Sequence, residues 1–313
     1  PLNTYGHSGL LEMPSARVMN DGEFAVTMSQ APKAFRTALS FQVFPWLEAA
    51  FRYSQINKYF PPGEGDKDLL DRSFSIKLHL FEETEYLPAV ALGFQDILGT
   101  GIYGGEYVVA SKAFGDFDVS LGLGWGRLGS AGMFRNPFSY IDKAFDNRPV
   151  FNPSDDKGGR PLFNSIFRGR DSSLFGGVVW QTPIEGLQAI VEYSGDAYKD
   201  ESARGVFTPE SQFNFGLSYR VGTLLEASAA YLYGNTFSFR ISLRFDPTTE
   251  TIKVLDKPPI PPSVRPPEQR PRTALRGALA SIGVGQVVEM FVERLVAGDQ
   301  RARLLGAKHQ EIR

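Results

Sequence analysis

Apolar and polar residues alternate with a period of two along most of the chain up to residue 245. In the stretch TFSFRISLRF at 236–245, Phe237 and Ile241 fall on one face of a strand and Arg240 on the other. Alternation of this kind indicates β-strands whose two faces meet different surroundings. The pattern predicts twelve strands, at residues 23–29, 36–44, 46–55, 74–80, 87–95, 106–114, 116–126, 173–181, 186–194, 212–220, 224–233 and 236–245.

The two faces of these strands differ in composition. The apolar faces are long and rich in aromatic rings, as in 116–126, where Phe117, Leu121 and Trp125 share a face. The polar faces carry Gly, Ala and Ser with isolated charges, whereas a soluble β-domain would show more Lys, Glu and Thr there. Small residues with scattered charges suit a crowded, wet interior, and aromatic faces suit lipid. The expected lumen-lining residues are Glu48, Arg52, Lys77, His79, Asp116, Asp118, Glu192, Arg220, Glu226, Arg240 and Arg244.

Strand length and backbone chemistry both favour a closed structure. Strands of about 9–11 residues match a tilted crossing of the hydrocarbon layer. A backbone in lipid must satisfy every hydrogen bond internally, which strands do only in a closed barrel. We therefore predict an all-β fold, an antiparallel transmembrane β-barrel of about 12 strands. A soluble sandwich or barrel is the alternative.

Short and long connections alternate between the predicted strands. Those at 45, 82–86, 115, 182–185 and 221–223 are short, and those at 30–35, 56–70, 96–105, 128–172 and 195–211 are mostly longer. The tight connection at 234–235 is an exception. In bacterial outer-membrane barrels the tight turns lie in the periplasm and the long loops outside. This order predicts a bacterial outer-membrane location with both barrel ends periplasmic.

The chain divides into four expected segments. Residues 1–21 are rich in Gly and Pro and form a plug or a cap on the periplasmic rim, and 22–246 form the barrel. Residues 247–272 form a Pro-rich linker that includes KPPIPPSVRPPEQRPR and is extended. Apolar residues near helical spacing in 273–313 predict a helical segment, the start of a periplasmic domain in a longer chain.

Composition argues against several kinds of function. Of 313 residues 22% are charged and the formal net charge is −2, so no global basic field calls for nucleic acid. The chain has no Cys, which removes disulfides, thiolate metal sites and Cys nucleophiles, and no apolar run of 18 residues. Around His79 no Ser-His-acid set can be picked out, and no metal-ligand spacing is present. We expect no cofactor, no metal and no catalysis.

The opening stretch GLLEMPSARVMNDGEF carries a resemblance. Together with the barrel pattern and the Pro-rich linker, it resembles the YjbH/GfcD family of outer-membrane proteins from exopolysaccharide and capsule operons. The residues that carry it are Gly6, Gly9, Leu10, Met13, Pro14, Ser15, Ala16 and Gly22. The resemblance implies a much longer natural chain. It also implies partners that include outer-membrane lipid, an extracellular polysaccharide, and periplasmic or lipoprotein components of the same system.

Three functions stay open on the sequence. The leading one is a non-enzymatic barrel for secretion or assembly of an extracellular polysaccharide. The second is a closed structural or assembly barrel without conductance, in which the loop 128–172 folds inward to fill the lumen. The third is an outer-membrane glycan-modifying enzyme, for which no site is visible.

Overall fold

The structure is a computed structural model that describes residues 1–31, 33–60, 67–149, 160–161 and 163–247. Except for residue 247, the predicted linker lies outside these residues, as does the whole predicted helical segment 273–313. In the described part, no helix is both long and apolar enough to cross a membrane.

Strands dominate the described residues. They are β1 Phe24–Ala31, β2 Ala34–Phe44, β3 Leu47–Ile56, β4 Leu69–Phe81, β5 Ala89–Gln95, β6 Leu98–Gly99, β7 Gly105–Phe114, β8 Phe117–Gly126, β9 Phe134–Arg135, β10 Arg160–Pro161, β11 Asp171–Gln181, β12 Leu187–Tyr193, β13 Phe213–Val221, β14 Leu225–Leu232 and β15 Thr236–Phe245. One short α-helix, α1, spans Lys199–Ala203. Single-turn 3₁₀ helices lie at Arg127–Gly129, Pro137–Tyr140, Lys143–Asp146 and Phe163–Ser165.

Twelve of these strands close into one antiparallel barrel. The order β1-β2-β3-β4-β5-β7-β8-β11-β12-β13-β14-β15 returns on itself, because β15 pairs with β1. In the closing pair Val26 lies opposite Leu243 and Met28 opposite Ile241. Closure gives every strand two partners and leaves no open sheet edge. The predicted all-β, antiparallel barrel of 12 strands is confirmed.

The two ends of the barrel carry different connections. One end, here the short-turn end, has connections 45–46, 82–88, 115–116, 182–186 and 222–224. The other, the long-loop end, has 57–68, 96–104, 127–170 and 194–212, as well as the tight connections 32–33 and 233–235. The expected loop at 30–35 is wrong, because β1 and β2 extend their pairing to Ala31 and Ala34.

Asp116 does not line the lumen. It forms a tight turn with Gly115 between β7 and β8, and its side chain is exposed at the short-turn end. Gly115 takes a φ of +58°, a conformation that favours glycine. The turn takes up the first residue of the predicted strand 116–126, so alternation no longer dictates where the Asp116 side chain points.

Large apolar side chains cover the outer face of the barrel. Leu121 is 59% exposed in the middle of β8, and Phe237 and Ile241 of β15 are exposed as well. The opposite faces of the strands are buried. An apolar exterior band around a closed barrel is the surface expected to contact lipid hydrocarbon.

Most of the described part of the connection 127–170 packs outside the lumen, but Leu128 at its start belongs to the buried cluster that contains Leu10 and Leu11. Phe138 and Phe167 pack at 5.6 and 4.9 Å on Trp125, whose ring lies on the outer face of β8. Trp125 is only 4% exposed and its Nε1 donates to Asn136 Oδ1 at 2.9 Å. Arg148 forms two hydrogen bonds, of 2.8 and 3.0 Å, with Glu106 of β7. Phe138, Phe167 and Arg148 therefore cover the outer wall near the long-loop end, so these residues do not fill the lumen as the inward loop would. Trp125 is covered by protein, and its expected contact with lipid is wrong.

The outward face of β8 predicts that a charged substitution is more damaging there than an apolar one. Leu121→Arg places a charge at the middle of the apolar exterior, which costs about 2–4 kcal/mol in a lipid-facing barrel strand. Leu121→Phe keeps the surface apolar and serves as the control. We expect the arginine variant alone to show a reduced free energy of unfolding when folded into lipid vesicles and titrated with urea. Equal stability of the two variants would contradict a lipid-facing exterior.

Candidate functional site: the plugged lumen

Residues 1–20, which we call the plug, run inside the barrel. Leu2 lies near β14, where its amide donates to Glu226 Oε1 at 3.2 Å. The segment then rises to Thr4, whose carbonyl accepts from Ser29, and descends to Ala16, whose amide donates to Ser111 Oγ at 2.9 Å. Bridges between Leu2 and Ser8 and between Gly9 and Pro14 hold it as a compact double turn. Nearly all its side chains are buried.

Glu192 of β12 anchors the middle of the plug. One carboxylate oxygen, Oε2, accepts hydrogen bonds from the amides of Leu11, Glu12 and Met13, at 2.9, 2.8 and 2.8 Å. Its other oxygen accepts from Asn214 at 2.8 Å. Consecutive amides that converge on one anion form a concave anion-binding site of the backbone. A wall carboxylate thus provides a partner for three plug amides that would otherwise be buried unpaired.

Glu48 of β3 anchors the first turn of the plug. It accepts hydrogen bonds from the Ser8 amide at 3.0 Å and the Ser8 hydroxyl at 2.7 Å, and its Oε1 lies 3.1 Å from His7 Nδ1. Lys77 Nζ lies 3.2 Å from the same carboxylate and donates to the carbonyls of Ser8 and Arg17. Burial is the main cause that lowers the pKa of His7. This cluster ties plug and wall through both charge and backbone.

Ser8, His7 and Glu48 are the residue types of a hydrolase triad, but their geometry differs. The Ser8 hydroxyl donates to the carboxylate, not to the imidazole. In a catalytic triad the imidazole lies between the nucleophile and the acid and accepts the hydroxyl proton. Here the Glu48 carboxylate holds the central place, so the imidazole is not the partner of the Ser8 hydroxyl and the arrangement is not a triad.

Glu12 joins the plug to the long loops. Its carboxylate accepts from the hydroxyls of Tyr198 and Tyr233, the latter at 2.5 Å, and its Oε1 lies 3.4 Å from Arg36 Nη1. Tyr198 belongs to the connection 194–212 and Tyr233 to the turn before β15. The plug therefore contacts the long-loop end through one buried carboxylate.

Arginine and tyrosine side chains form a layer above the plug. Arg36 and Arg52 each lie 4.6 Å from the ring of the plug residue Tyr5. Arg52 lies 4.6 Å, and Arg127 4.5 Å, from the ring of Tyr103 in the connection 96–104. Guanidinium groups over aromatic faces are stabilised further when water is excluded. The layer closes the lumen between the plug and the loops.

Arg127 of this layer also belongs to a network of buried charges beneath the long loops. Arg127 pairs with Asp196 at 2.5 Å and with Glu201 at 2.6 Å. Nearby, Asp96 follows β5 and accepts from the Tyr103 amide at 3.2 Å. Burial, followed by the neighbouring Asp71 carboxylate, raises the pKa of Asp96 above its ordinary value. Asp96 thus favours its neutral form inside the protein.

The short-turn end of the lumen holds further ion pairs. Arg17 of the plug binds Asp118 at 2.8 Å and Glu83 at 2.6 Å. Glu226 pairs with Arg240 at 2.8 Å and Arg244 at 3.4 Å. Arg220 lies 3.3 Å from the same carboxylate, and Arg244 also binds Glu23 at 2.6 Å.

Two glycines show how closely plug and wall approach. A side chain at Gly177 of β11 would come within 2.9 Å of Leu10 Cδ1, and one at Gly216 of β13 within 2.6 Å of Leu11 Cδ2. In the plug itself, Gly6 has a φ of +90° and lies directly against Ala38 of β2. The small residues on the lumen faces thus leave the space into which the plug packs.

The structure brings most of the predicted lumen residues together, and Asp116 is the exception. Glu48, Arg52, Lys77, Glu192, Glu226 and Arg240 are buried within the lumen. His79, Asp118, Arg220 and Arg244 lie on the same faces toward the short-turn end and are partly exposed. Of the predicted N-terminal motif, Leu10, Met13 and Ala16 are fully buried in the plug. Gly22 lies in the turn before β1 at φ +75°.

Sequence reasoning missed several residues of this site, namely Glu12, Arg36, Arg127, Tyr198 and Tyr233. A signal for Glu12 existed, because a charged residue inside the apolar motif GLLEMP needs a buried partner. The loop residues Arg127 and Tyr198 carry no periodic pattern, so alternation could not assign them to the lumen. Within the described ranges, no group of three or more His, Cys, Asp or Glu residues could hold a metal ion.

The model of the YjbH family, described as "Exopolysaccharide biosynthesis protein YbjH", matches residues 1–305. The chain belongs to the YjbH family. It is 39% identical over 244 residues to a protein of Escherichia coli (strain K12) named "Uncharacterized lipoprotein YjbH", with 77% of this chain and 34% of that protein covered. The chain thus spans about a third of the length of that relative.

Solved porins and one enzyme are similar in architecture. KdgM porin aligns with 72% of this chain and 98% of its own at 8% identity and a TM-score of 0.37. NanC porin gives the same coverages at 13% identity and 0.35. Outer membrane phospholipase A of Escherichia coli covers 72% and 92% at 8% identity and 0.30. At these TM-scores the similarities carry no argument about what this YjbH family member does.

The contacts of Glu192 predict that it is a main anchor of the plug. Glu192→Ala leaves three buried amides without an acceptor, so we expect the free energy of unfolding to fall by about 3 kcal/mol or more. Glu185→Ala, in an exposed turn of the same hairpin, is the matched control and should change it little. Urea titration of the folded barrel measures both. Similar losses in the two variants would show that the amides do not depend on Glu192.

The raised pKa of Asp96 predicts a pH dependence of stability. The folded protein holds the proton on Asp96 above about pH 4, where the unfolded chain releases it. Stability should therefore fall as the pH rises through and above the ordinary aspartate range. We expect the free energy of unfolding to drop between about pH 5 and about pH 8 in the native chain, and to drop less in Asp96→Asn. An equal drop in the variant would rule out Asp96 as the source.

Proposed function

We propose that this YjbH family member is a non-enzymatic barrel of the bacterial outer membrane that acts in the secretion or assembly of an extracellular polysaccharide. The observation that carries the proposal is a lumen lined with paired charges and filled by a separate segment of the same chain. The apolar exterior and the exopolysaccharide family support it. In this arrangement the long-loop end faces outward, and the chain enters β1 and leaves β15 on the periplasmic side.

Charged walls suit a hydrated glycan. Glu48, Lys77, Glu226 and Arg240 face the lumen and would bind water or sugar hydroxyls if the plug left. A purely apolar lumen would instead favour a plug that stays packed in place. The partners in this proposal are outer-membrane lipid, the polysaccharide, and periplasmic or lipoprotein components. The relative from E. coli is itself named a lipoprotein.

The plug also supports a second candidate function, a closed structural or assembly barrel without conductance. The plug is bound to Glu48 at Ser8, to Glu192 at Met13, and to Tyr233 through its own Glu12. Above it, the Arg–Tyr layer closes the long-loop end. A barrel that only organises partner proteins would need no movement of these contacts, whereas a conduit would need the plug to leave.

A disulfide between plug and wall separates the two functions. The chain has no Cys, so Ala16→Cys with Ser111→Cys introduces one pair, at a site where the residue-16 amide lies 2.9 Å from the residue-111 side chain. For a conduit we expect oxidised cells to lose secretion of the polysaccharide and to regain it on reduction. The measurement is polysaccharide in the medium, in a strain without the native copy.

The control lock joins two wall strands and leaves the plug free. Thr27 and Ser242 lie opposite each other on β1 and β15 with hydroxyls 3.0 Å apart, so Thr27→Cys with Ser242→Cys should preserve secretion. Normal secretion with the plug locked would favour the closed assembly barrel over the conduit. If cells that lack the protein secrete and assemble the polysaccharide normally, the proposed function is wrong.

A further inference from the structure

A cavity opens at the long-loop end, separate from the plug contacts. Its volume is about 340 Å³, and we call it the rim cavity. Its lining includes Tyr59, Arg127, Lys199, Asp200 and Arg204, from the end of β8 and the connections 57–68 and 194–212. Small-molecule sites typically measure about 300–1,000 Å³, so the rim cavity fits a short ligand or one or two units of a polymer.

The two arginines at the floor of the rim cavity are already paired with carboxylates. Arg127 is held by Asp196 and Glu201, and its guanidinium lies 4.5 Å from the ring of Tyr103 and 5.0 Å from that of Tyr198. Arg148, which also lines the cavity, is neutralised by Glu106. Arg127 and Arg148 are therefore already paired, and they leave no unpaired positive charge for a ligand.

Two further cations on the wall are not occupied in this way. In the part of the chain that the structure describes, neither Lys199 nor Arg204 forms an ion pair with a carboxylate. Arg204 Cζ lies 4.5 Å from the centre of the Tyr59 ring, a distance at which the ring attracts the cation. Asp200 is the neighbouring acid and forms no ion pair there either. The wall thus presents two available cations and one available anion.

We infer that the rim cavity binds an acidic sugar residue, a sugar that carries a carboxylate. The guanidinium of Arg204, placed over the Tyr59 ring, has paired N–H donors that match a carboxylate, and Lys199 adds a second positive charge. Asp200 can accept hydrogen bonds from sugar hydroxyls, which a simple inorganic anion does not offer. The mixed lining therefore fits a ligand with one negative group and several hydroxyl donors.

This inference rests on the proposed function for the presence of a glycan at this end of the barrel. The same chemistry has two sources there, an acidic unit of the exported polysaccharide and an acidic core sugar of lipopolysaccharide. Both would meet the same two cations, so binding assays with each source are needed.

Calorimetric titration of the purified, folded barrel in detergent tests the inference. The probe is a glucuronic acid hexamer, and a glucose hexamer of equal length is its neutral counterpart. We expect the acidic hexamer to bind more tightly than the neutral one, and more weakly as salt is added. Purified lipopolysaccharide core oligosaccharide is titrated in parallel, and the tighter of the two acidic ligands identifies the source.

Substitutions of the cations and of Asp200 should change the affinity for the acidic hexamer in opposite directions. Lys199→Ala and Arg204→Ala should each weaken acidic-hexamer binding about tenfold, the loss of one charge-assisted contact. Asp200→Asn should strengthen it, because it removes a negative charge beside the carboxylate while the amide oxygen still accepts from hydroxyls. Lys143→Ala, an exposed lysine on the connection 127–170, is the charge-matched control and should leave affinity unchanged.

Equal affinity for acidic and neutral hexamers, or losses in Lys143→Ala as large as those in Arg204→Ala, would overturn the inference. The assay uses purified protein, so its result does not depend on secretion. Acid-selective binding by a barrel that cells do not need for their polysaccharide would leave the site standing without the proposed function. Dependence on the barrel without acid-selective binding would leave the function without this site.

Discussion

The structure depends on the pairing of buried carboxylates with the plug. Glu192, Glu48 and Glu12 are all enclosed by protein, and an ionised carboxylate away from water is costly unless hydrogen bonds and charges surround it. The plug supplies these partners to the wall as three amides at Glu192 and as a hydroxyl and an amide at Glu48. The wall and long loops supply them to Glu12 of the plug. Neither component satisfies its buried groups alone.

This mutual dependence explains the shape of the plug. A segment with regular secondary structure would use its own amides internally and leave none for a wall carboxylate. The turns around Gly6 and Gly9 keep the backbone irregular, so consecutive amides of residues 11–13 point outward to Glu192. The apolar residues Leu10 and Leu11 then pack against glycines of the wall. The N-terminal motif thus combines turn-forming glycines with apolar side chains of fitting size.

Periodicity predicted the barrel well because each wall strand has two chemically different faces. β15 matches its prediction residue for residue, since Arg240 and Phe239 face opposite environments with no interruption. The pattern failed where a residue leaves the strand or where another segment covers it. Asp116 lies in a turn, and Trp125 keeps its outward direction but is covered by Phe138 and Phe167. The position of Asp116 depends on a local turn and the burial of Trp125 on long-range packing, and alternation encodes neither.

The site was predictable only in its wall half. Glu192 and Lys77 were identifiable as charges on small-residue faces, and the structure places both in the lumen. Their partners are plug amides and carbonyls, which every residue possesses, so no residue type in the sequence marks them. The loop contributions of Arg127 and Tyr198 come from aperiodic connections. The sequence therefore indicates which wall charges face the lumen, but only the three-dimensional structure shows the path of the plug that pairs with them.

Wall and plug differ in how they would tolerate separation. Several wall charges pair within the wall itself, as Lys77 does with Glu48 at 3.2 Å and Arg240 with Glu226 at 2.8 Å. These pairs would persist in a water-filled lumen, where ion pairs are weakly bound but well solvated. Glu192 would keep Asn214 and gain water, whereas the amides of residues 11–13 would have to find new partners. The cost of opening therefore falls mainly on the plug, and a partner that offers acceptors to those three amides would lower it.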